Sequence, residues 1–398
     1  WSRLLAATEL FENPIRRCEM NLDLDLKELG SRLAKVDILL MELLKRRMGL
    51  AFQVGTYKMK KSKKFIRIKI ENQRLAKIRV WARKNKMNPH FVNAILYTII
   101  GESCKQQLVQ LQNTSKRRLK DPESDDHWYK MLKANLLKLT EGWSKSYDKS
   151  YDEAYFATHA YLEFENSLIK EEVGKLASRD MALDIGCATG RIAFMLAEEF
   201  ERVVGYDLSP HMVKQAQSKL SNTQKSSAVV IFKQTDLEDS IPEPDSSVSL
   251  IVMNLGTASD MRNIAGVLKE VERVLKPDGR FFFSFYNKEA LVYRWDFIPW
   301  PTGLAAEINI HKHCLDVHAG NKMFSIYARP YAVEEAMSLF QGHLSADRVC
   351  TYPTISSILP SNLFENQPEV EKSITEIDRL LSGSNMGAYI AVTGSKRL

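Results

Sequence analysis

Ala182-Leu183-Asp184-Ile185-Gly186-Cys187-Ala188-Thr189-Gly190 is a short apolar run carrying one acid, followed by a turn with two glycines and a helical pattern over Arg191–Glu199. Gly186 and Gly190 permit backbone angles that a side chain resists, and they let a ligand lie against the main chain. In an open α/β sheet such a turn sits at the carboxyl ends of the strands, where ligands bind. The spacing is G-x-x-x-G. Ala188 occupies the position that close pyrophosphate approach reserves for glycine, which favours a ligand without a diphosphate.

Working outward, Met181–Ile185, Arg202–Tyr206, Ala228–Lys233, Val248–Met253 and Arg280–Phe285 read as strands. Arg191–Glu199, Pro210–Leu220 and Met261–Leu275 read as the helices between them. The alternation predicts a parallel, doubly wound sheet, finished by late strands at Arg348–Thr351 and Ala388–Thr393. Three more strand ends carry ligand-type residues. Asp207 closes the second strand, where a carboxylate accepts both hydroxyls of a ribose. Asp236-Leu237 follows the third, as an acid and a backbone N–H suited to an adenine edge, and Asn254 closes the fourth.

These four strand ends, with Asp207-Leu208-Ser209-Pro210-His211-Met212 and Leu275-Lys276-Pro277-Asp278-Gly279, resemble the class I S-adenosylmethionine-dependent methyltransferases over about residues 143–398. The resemblance implies a Rossmann-like α/β domain with S-adenosylmethionine as cofactor. It implies that Asp184 holds the cofactor's amino group through water and that Gly186, Cys187 and Gly190 pass under its methionine part. Asp207 takes the ribose, Leu208 and Met212 pack on the adenine, and Asp236, Leu237 and Asn254 complete the site. Trp143 and Tyr147-Asp148 resemble the aromatic lead-in that these enzymes fold over the cofactor. Cys187 also reads as a small packing residue. A sulfonium methyl needs placement and desolvation more than a dedicated base; the candidates for a base are Tyr151, Tyr155 and His159. Phe281–Tyr286 and Tyr293–Pro301 follow the fifth strand, where an aromatic acceptor wall is expected. His311, His313, Cys314 and His318 read as loop or surface residues, and no metal is expected.

The other end of the chain differs in charge. Residues 1–120 hold 27 Lys and Arg against 10 Asp and Glu, and the remainder 29 against 39, so the overall +7 divides between a basic and an acidic part. That division marks a domain boundary. Leu29, Leu33, Val36, Leu40, Leu43, Leu44 and Leu50 recur at helical spacing. A second helix is expected over Ile68–Lys84, and a third from Asn88-Pro89, with Pro in its first turn. Residues 22–118 form an all-α, three-helix domain on this reading. Residues 1–21 are an N-terminal extension and 119–142 a helical or partly ordered linker.

This segment resembles the all-helical chorismate mutases through Val36-Asp37, Leu43-Leu44-Lys45-Arg46-Arg47, Lys58, Glu71, Pro89-His90-Phe91-Val92 and Ile99-Ile100-Gly101-Glu102-Ser103. The resemblance implies an intertwined homodimer and a pocket for a chorismate-like dicarboxylate formed by Arg47, Lys58, Glu71, Ser103 and Gln107. Gly30 stands where the family carries an Arg reaching into the neighbouring subunit, and Arg67 and Ile70 replace an acid and an Arg. A dimerising domain with an altered anion pocket accommodates these departures.

The remaining composition, 44% hydrophobic and 26% charged, fits a folded protein and excludes a disordered or fibrous chain. No apolar run approaches the roughly 20 residues of a membrane span. The first ten residues lack a secretory signal pattern. Five scattered cysteines without C-x-x-C spacing indicate a reduced, cytoplasmic protein. The expected function is methyl transfer to a small-molecule acceptor, with aromatic and chorismate-derived compounds as the candidates. Two alternatives stand beside it. One is carboxy-S-adenosylmethionine synthesis from prephenate. The other is RNA modification, for which the sixteen basic residues between Lys45 and Lys86 provide a phosphate footprint.

Overall fold

Among the described residues there are ten strands: β1 (Met181–Ile185), β2 (Arg202–Asp207), β3 (Val229–Gln234), β4 (Val248–Met253), β5 (Leu275–Tyr286), β6 (Ala306–Asn309), β7 (Cys314–Ala319), β8 (Lys322–Tyr327), β9 (Leu344–Tyr352) and β10 (Tyr389–Lys396). The structure, a computed structural model, describes residues 26–60, 68–114, 124–152, 154, 156–223, 227–294, 306–319, 322–340, 342, 344–359 and 367–397. Seven strands form one sheet in the order β3-β2-β1-β4-β5-β10-β9. β1 to β5 pair in parallel, as the alternation predicts. β10 lies antiparallel to both β5 and β9, so the sheet is mixed and not wholly parallel. The cause is local. The Asn287 side chain, just past β5, donates to the carbonyls of Asn385 and Gly387, so the chain enters β10 beside the point where β5 ended. A parallel neighbour would require the chain to cross back to the opposite end of β5 before pairing.

Strand β1 is buried along its whole length, and β4 likewise, which explains their unbroken apolar sequence. Phe281, Phe283 and Phe285 point into one core layer, while Phe282 and Tyr286 point into the other. Most of the aromatic run after Gly279 is therefore core, and only its last member reaches the site described below.

The helices are α1 (Leu26–Lys60), α2 (Ile68–Lys84), α3 (Pro89–Thr114), α4 (Asp126–Trp143), α5 (Tyr147–Asp152), α6 (Phe156–Gly174), α7 (Arg191–Leu196), α8 (Pro210–Thr223), α9 (Ile264–Val274), α10 (Leu291–Arg294), α11 (Val333–Ser338) and α12 (Pro368–Leu380). α6 packs on the antiparallel edge through two stacked ring pairs. Tyr161 lies on Tyr389 at 4.0 Å and Phe164 on Tyr352 at 4.2 Å.

Residues 126–143, read from sequence as part of a linker, form a packed helix. Asp125 caps α4 by accepting the Trp128 N–H at 2.8 Å. Trp128 and Leu132 are buried with Cys314 and Tyr327, and the Trp128 indole donates to the Lys312 carbonyl at 3.0 Å. Their partners belong to a second sheet, β6-β7-β8, antiparallel throughout. The sequence reading missed this sheet because its polar, histidine-bearing segment hides the alternation. Cys314 is consequently a buried strand residue and not a surface one, while His311 stays exposed. The His318 side chain and residues 295–305, including Trp295 and Trp300, lie outside the described residues.

The chain divides between Val54 and Gly55 into two compact units. In the first, α1 exposes Leu29, Leu33, Val36, Leu40, Leu43 and Leu50, each at least 41% accessible. In the second, α2 has the predicted bounds, and the Asn88 side chain accepts the His90 N–H at 2.9 Å at the start of α3. No helix among the described residues is long and apolar enough to cross a membrane.

Candidate functional site

The turn after β1 and the turn after β4 adjoin where the strand order reverses, which is where open α/β sheets hold ligands. A cavity of about 1040 Å³ opens there. Its walls include Gly186, Cys187, Asp207, Leu208, Met212, Asp236, Leu237 and Asn254, so eight of the ten expected cofactor-site residues meet there; Asp184 and Gly190 do not line it, although Ala188, Thr189 and Arg191 beside Gly190 do.

Gly186 and Gly190 earn their places differently. Gly186 has φ +75°, and a Cβ there would come within 2.5 Å of the Thr257 methyl, so it allows the two turns to touch. Gly190 has φ +92° and precedes α7; its Cβ would meet the Phe232 ring at 2.7 Å, and its side is core packing. Ala188, with φ +45°, is a left-handed residue that is not glycine. Its N–H donates to Asp207 Oδ2 at 2.8 Å, while Asp207 Oδ1 accepts the Ser209 N–H at 2.8 Å. Burial raises the Asp207 pKa, and these two backbone donors oppose the rise.

Asp184 is fully buried and absent from the cavity wall. One oxygen accepts the Ala193 N–H at 2.9 Å, bracing α7, and Oδ1 has no protein partner. Burial pushes its pKa up to about 7. Cys187 is buried, with its thiol pKa raised first by burial, and it packs on Gly205 as an inert side chain.

The aromatic lead-in does cover the turn. Thr189 Oγ1 donates to Asp148 at 2.5 Å, and Lys219 pairs with the same carboxylate at 2.5 Å. Tyr147 and Tyr151 line the cavity with their hydroxyls 3.4 Å apart, and burial raises both pKa values. His159 does not line it. Thr158 does, and one residue along a helix turns the side chain by about 100°. Tyr155 lies outside the described residues.

Several residues escaped the sequence reading. Glu165, on α6 and wholly buried, pairs with Arg191 at 3.0 Å and accepts the Leu255 N–H at 2.7 Å, tying the first turn to the fourth strand's end. Lys133 from α4 pairs with Asp236, and the neighbouring Glu238 accepts from the Tyr129 hydroxyl at 2.6 Å. Asp260, Tyr389 and the sheet residues Ile308, Leu315, Val317 and Ile326 line the rest of the cavity, together with Tyr286 and Tyr293 of the expected aromatic wall. A buried acid within a helical pattern is the only sequence signal Glu165 offers.

Of the mutase-like set, Arg47 is half-buried on α1. Lys58 and Ser103 are buried, and Ser103 Oγ donates to the Ile99 carbonyl at 2.6 Å. The side chains of Glu71 and Gln107 lie outside the described residues. Among the described residues no group of three or more His, Cys, Asp and Glu side chains is placed to hold a metal ion.

Two family models match the chain. Residues 183–283 match that described as a methyltransferase domain, and residues 29–108 match chorismate mutase type II. The chain thus carries an S-adenosylmethionine-dependent methyltransferase domain and a helical domain of the chorismate mutase type. A demethylmenaquinone methyltransferase of Lactobacillus johnsonii is 34% identical over 27% of this chain and 43% of its own length. The S-adenosyl-L-methionine-dependent Diels-Alderase iccD of Talaromyces variabilis is 32% identical over 25% of this chain and 34% of its own. The matched stretch spans less than half of each relative. A solved S-adenosylmethionine-dependent methyltransferase from Clostridium acetobutylicum aligns with a TM-score of 0.40 at 16% identity, covering 60% of this chain and 92% of that one.

Proposed function

We propose that the chain transfers a methyl group to a small molecule, and that helices of its mutase-type domain join two copies. When bound, S-adenosylmethionine supplies an already activated sulfonium methyl. Asp207 would hold the ribose, Leu208 and Met212 would cover the adenine, Asp236 and Leu237 would meet its edge, and the Gly186–Thr189 backbone would run beside the methionine part. The lead-in helices carrying Trp143, Tyr147 and Asp148 would exclude water, which favours transfer from a sulfonium.

The single observation behind this reading is the convergence of Ala188, Asp207, Leu237 and Asn254 on one cavity at the strand-order reversal. The exposed apolar side chains of α1, Leu29, Leu33, Val36, Leu40, Leu43 and Leu50 among them, support association, since burying each is worth roughly 1.5–3 kcal/mol. A second copy is the occupant proposed, with residues 22–118 as the dimerising domain and an anion pocket altered at Gly30 and Ile70. Carboxylate-reading chemistry on prephenate finds less support, because Lys133, Arg191 and Lys219, the cations lining the cavity among the described residues, are each paired with a carboxylate. Native mass spectrometry of the protein tests both parts. A dimer retaining added S-adenosylmethionine or its demethylated product is expected; a monomer, or a protein that retains neither ligand, contradicts the corresponding part.

A further inference from the structure

Part of the cavity wall consists of phenol rings and aliphatic sheet residues, and the lining also includes Asp260. Asp260 caps the short helical turn Thr257–Ser259, its N–H donating to the Thr257 carbonyl at 3.0 Å. Its side chain lines the cavity, and its Oδ1 is enclosed with no hydrogen-bond partner. An enclosed carboxyl oxygen without a donor is costly. Retaining one in a cavity wall therefore points to a donor that arrives with a ligand.

The surrounding charges narrow that ligand. The lining cations Lys133, Arg191 and Lys219 are spent on Asp236, Glu165 and Asp148. The lining acids are Asp148, Asp152, Asp207, Asp236, Glu238 and Asp260, which outnumber the cations. Among the described lining residues no unpaired cation is left to receive an acceptor's carboxylate or phosphate. Tyr147, Tyr151, Tyr286, Tyr293 and Tyr389, with Leu315 and Val317, offer flat apolar surface instead.

We propose that the methyl acceptor is an uncharged, flat molecule bearing a hydroxyl or N–H, and that Asp260 receives its proton. This rests on the methyltransferase reading above. The acceptor's O–H or N–H bond breaks to give its proton to the Asp260 carboxylate. The freed lone pair forms the bond to the methyl carbon as the carbon–sulfur bond breaks, leaving a neutral thioether. The charges balance: a cation and a carboxylate become two neutral groups.

The groups facing Asp260 are Asp207 after β2, Tyr151 on α5, Tyr286 at the end of β5 and Tyr389 on β10. Burial first, and then Asp207, raise its pKa well above the usual range, so the charge of a ligand in the same cavity bears on its proton. A sulfonium in the same cavity favours the carboxylate, and its neutral product does not. Cofactor charge thus readies the proton acceptor, and loss of that charge leaves the proton in place.

The test is calorimetry of the full chain with S-adenosylmethionine and, separately, S-adenosylhomocysteine, in buffers of different ionisation heat. The sulfonium ligand is expected to release more protons than the thioether in the wild type. Asp260→Asn, and Asp260→Ser as a second shape, are expected to abolish the difference while both ligands still bind. An equal proton count in the wild type, or a difference that survives both substitutions, overturns the role of Asp260. If neither ligand binds, the methyltransferase reading fails and the proposal with it. With the thioether bound, phenol is expected to bind at least tenfold more tightly than benzoate. A preference for benzoate, or no binding of either at millimolar concentration, overturns the uncharged acceptor.

Discussion

The Ala188 N–H donates to Asp207 Oδ2 at 2.8 Å, so the glycine turn after β1 is pinned to the acid that ends β2. One carboxylate thereby orders the turn and faces the cavity. Asp207→Asn removes its charge but keeps an oxygen acceptor. Hydrogen bonds to charged groups are worth roughly 1.5–3 kcal/mol, so affinity for S-adenosylmethionine and S-adenosylhomocysteine should fall roughly 10- to 100-fold, read by calorimetry.

The same bond holds Ala188 at φ +45°. A left-handed alanine costs roughly 1–2 kcal/mol, and glycine returns part of the relief as unfolded-state entropy. Ala188→Gly should therefore stabilise the protein by about 0.5–1 kcal/mol in denaturant titration. A loss of stability would show that the methyl group contributes packing that outweighs the backbone strain.

Glu165 couples Arg191 to the Leu255 N–H from a position with no exposure. Glu165→Ala leaves both donors without a carboxylate. Breaking a fully buried pair costs about 3–5 kcal/mol, but Arg191 is 34% accessible, so roughly 2–3 kcal/mol is expected here. Glu165→Gln, which keeps an acceptor for Leu255, should recover part of this loss.

Asp184 makes stability depend on pH. Its folded pKa of about 7 lies above the unfolded value near 3.9, so the folded state binds the extra proton between them. Its contribution is present at low pH and is lost as pH rises through about 7, a change on the order of 4 kcal/mol. Asp184→Asn should flatten the stability profile between pH 4 and 7 and raise the melting temperature at pH 8 relative to wild type.

Much of this arrangement was legible before the structure. The bounds of β1 and β4 coincide with the sequence reading because strands buried on both faces are continuous apolar runs between turn residues. The strand-end acids were legible because carboxylates that close such runs are rarely there for packing. Asp184 was legible as a position but not as a brace, since only the fold turns it away from the cavity. Glu165, Lys133 and Asp260 were not legible. Each acts across a sequence separation that no local pattern encodes, from Glu165 to Leu255 or from Lys133 to Asp236. The sheet β6-β7-β8 was hidden for a related reason: what makes its strands is the burial of Cys314 and Tyr327 under α4.

The central claim is that the cavity beside Gly186 and Asp207 receives the adenosyl group. The most direct measurement is a crystal structure of the full chain grown with S-adenosylhomocysteine. The account predicts ribose hydroxyls on Asp207, adenine over Met212 and beside Leu237, and the thioether facing Asp260. An adenosyl group bound elsewhere, or held without contact to Asp207, would contradict it.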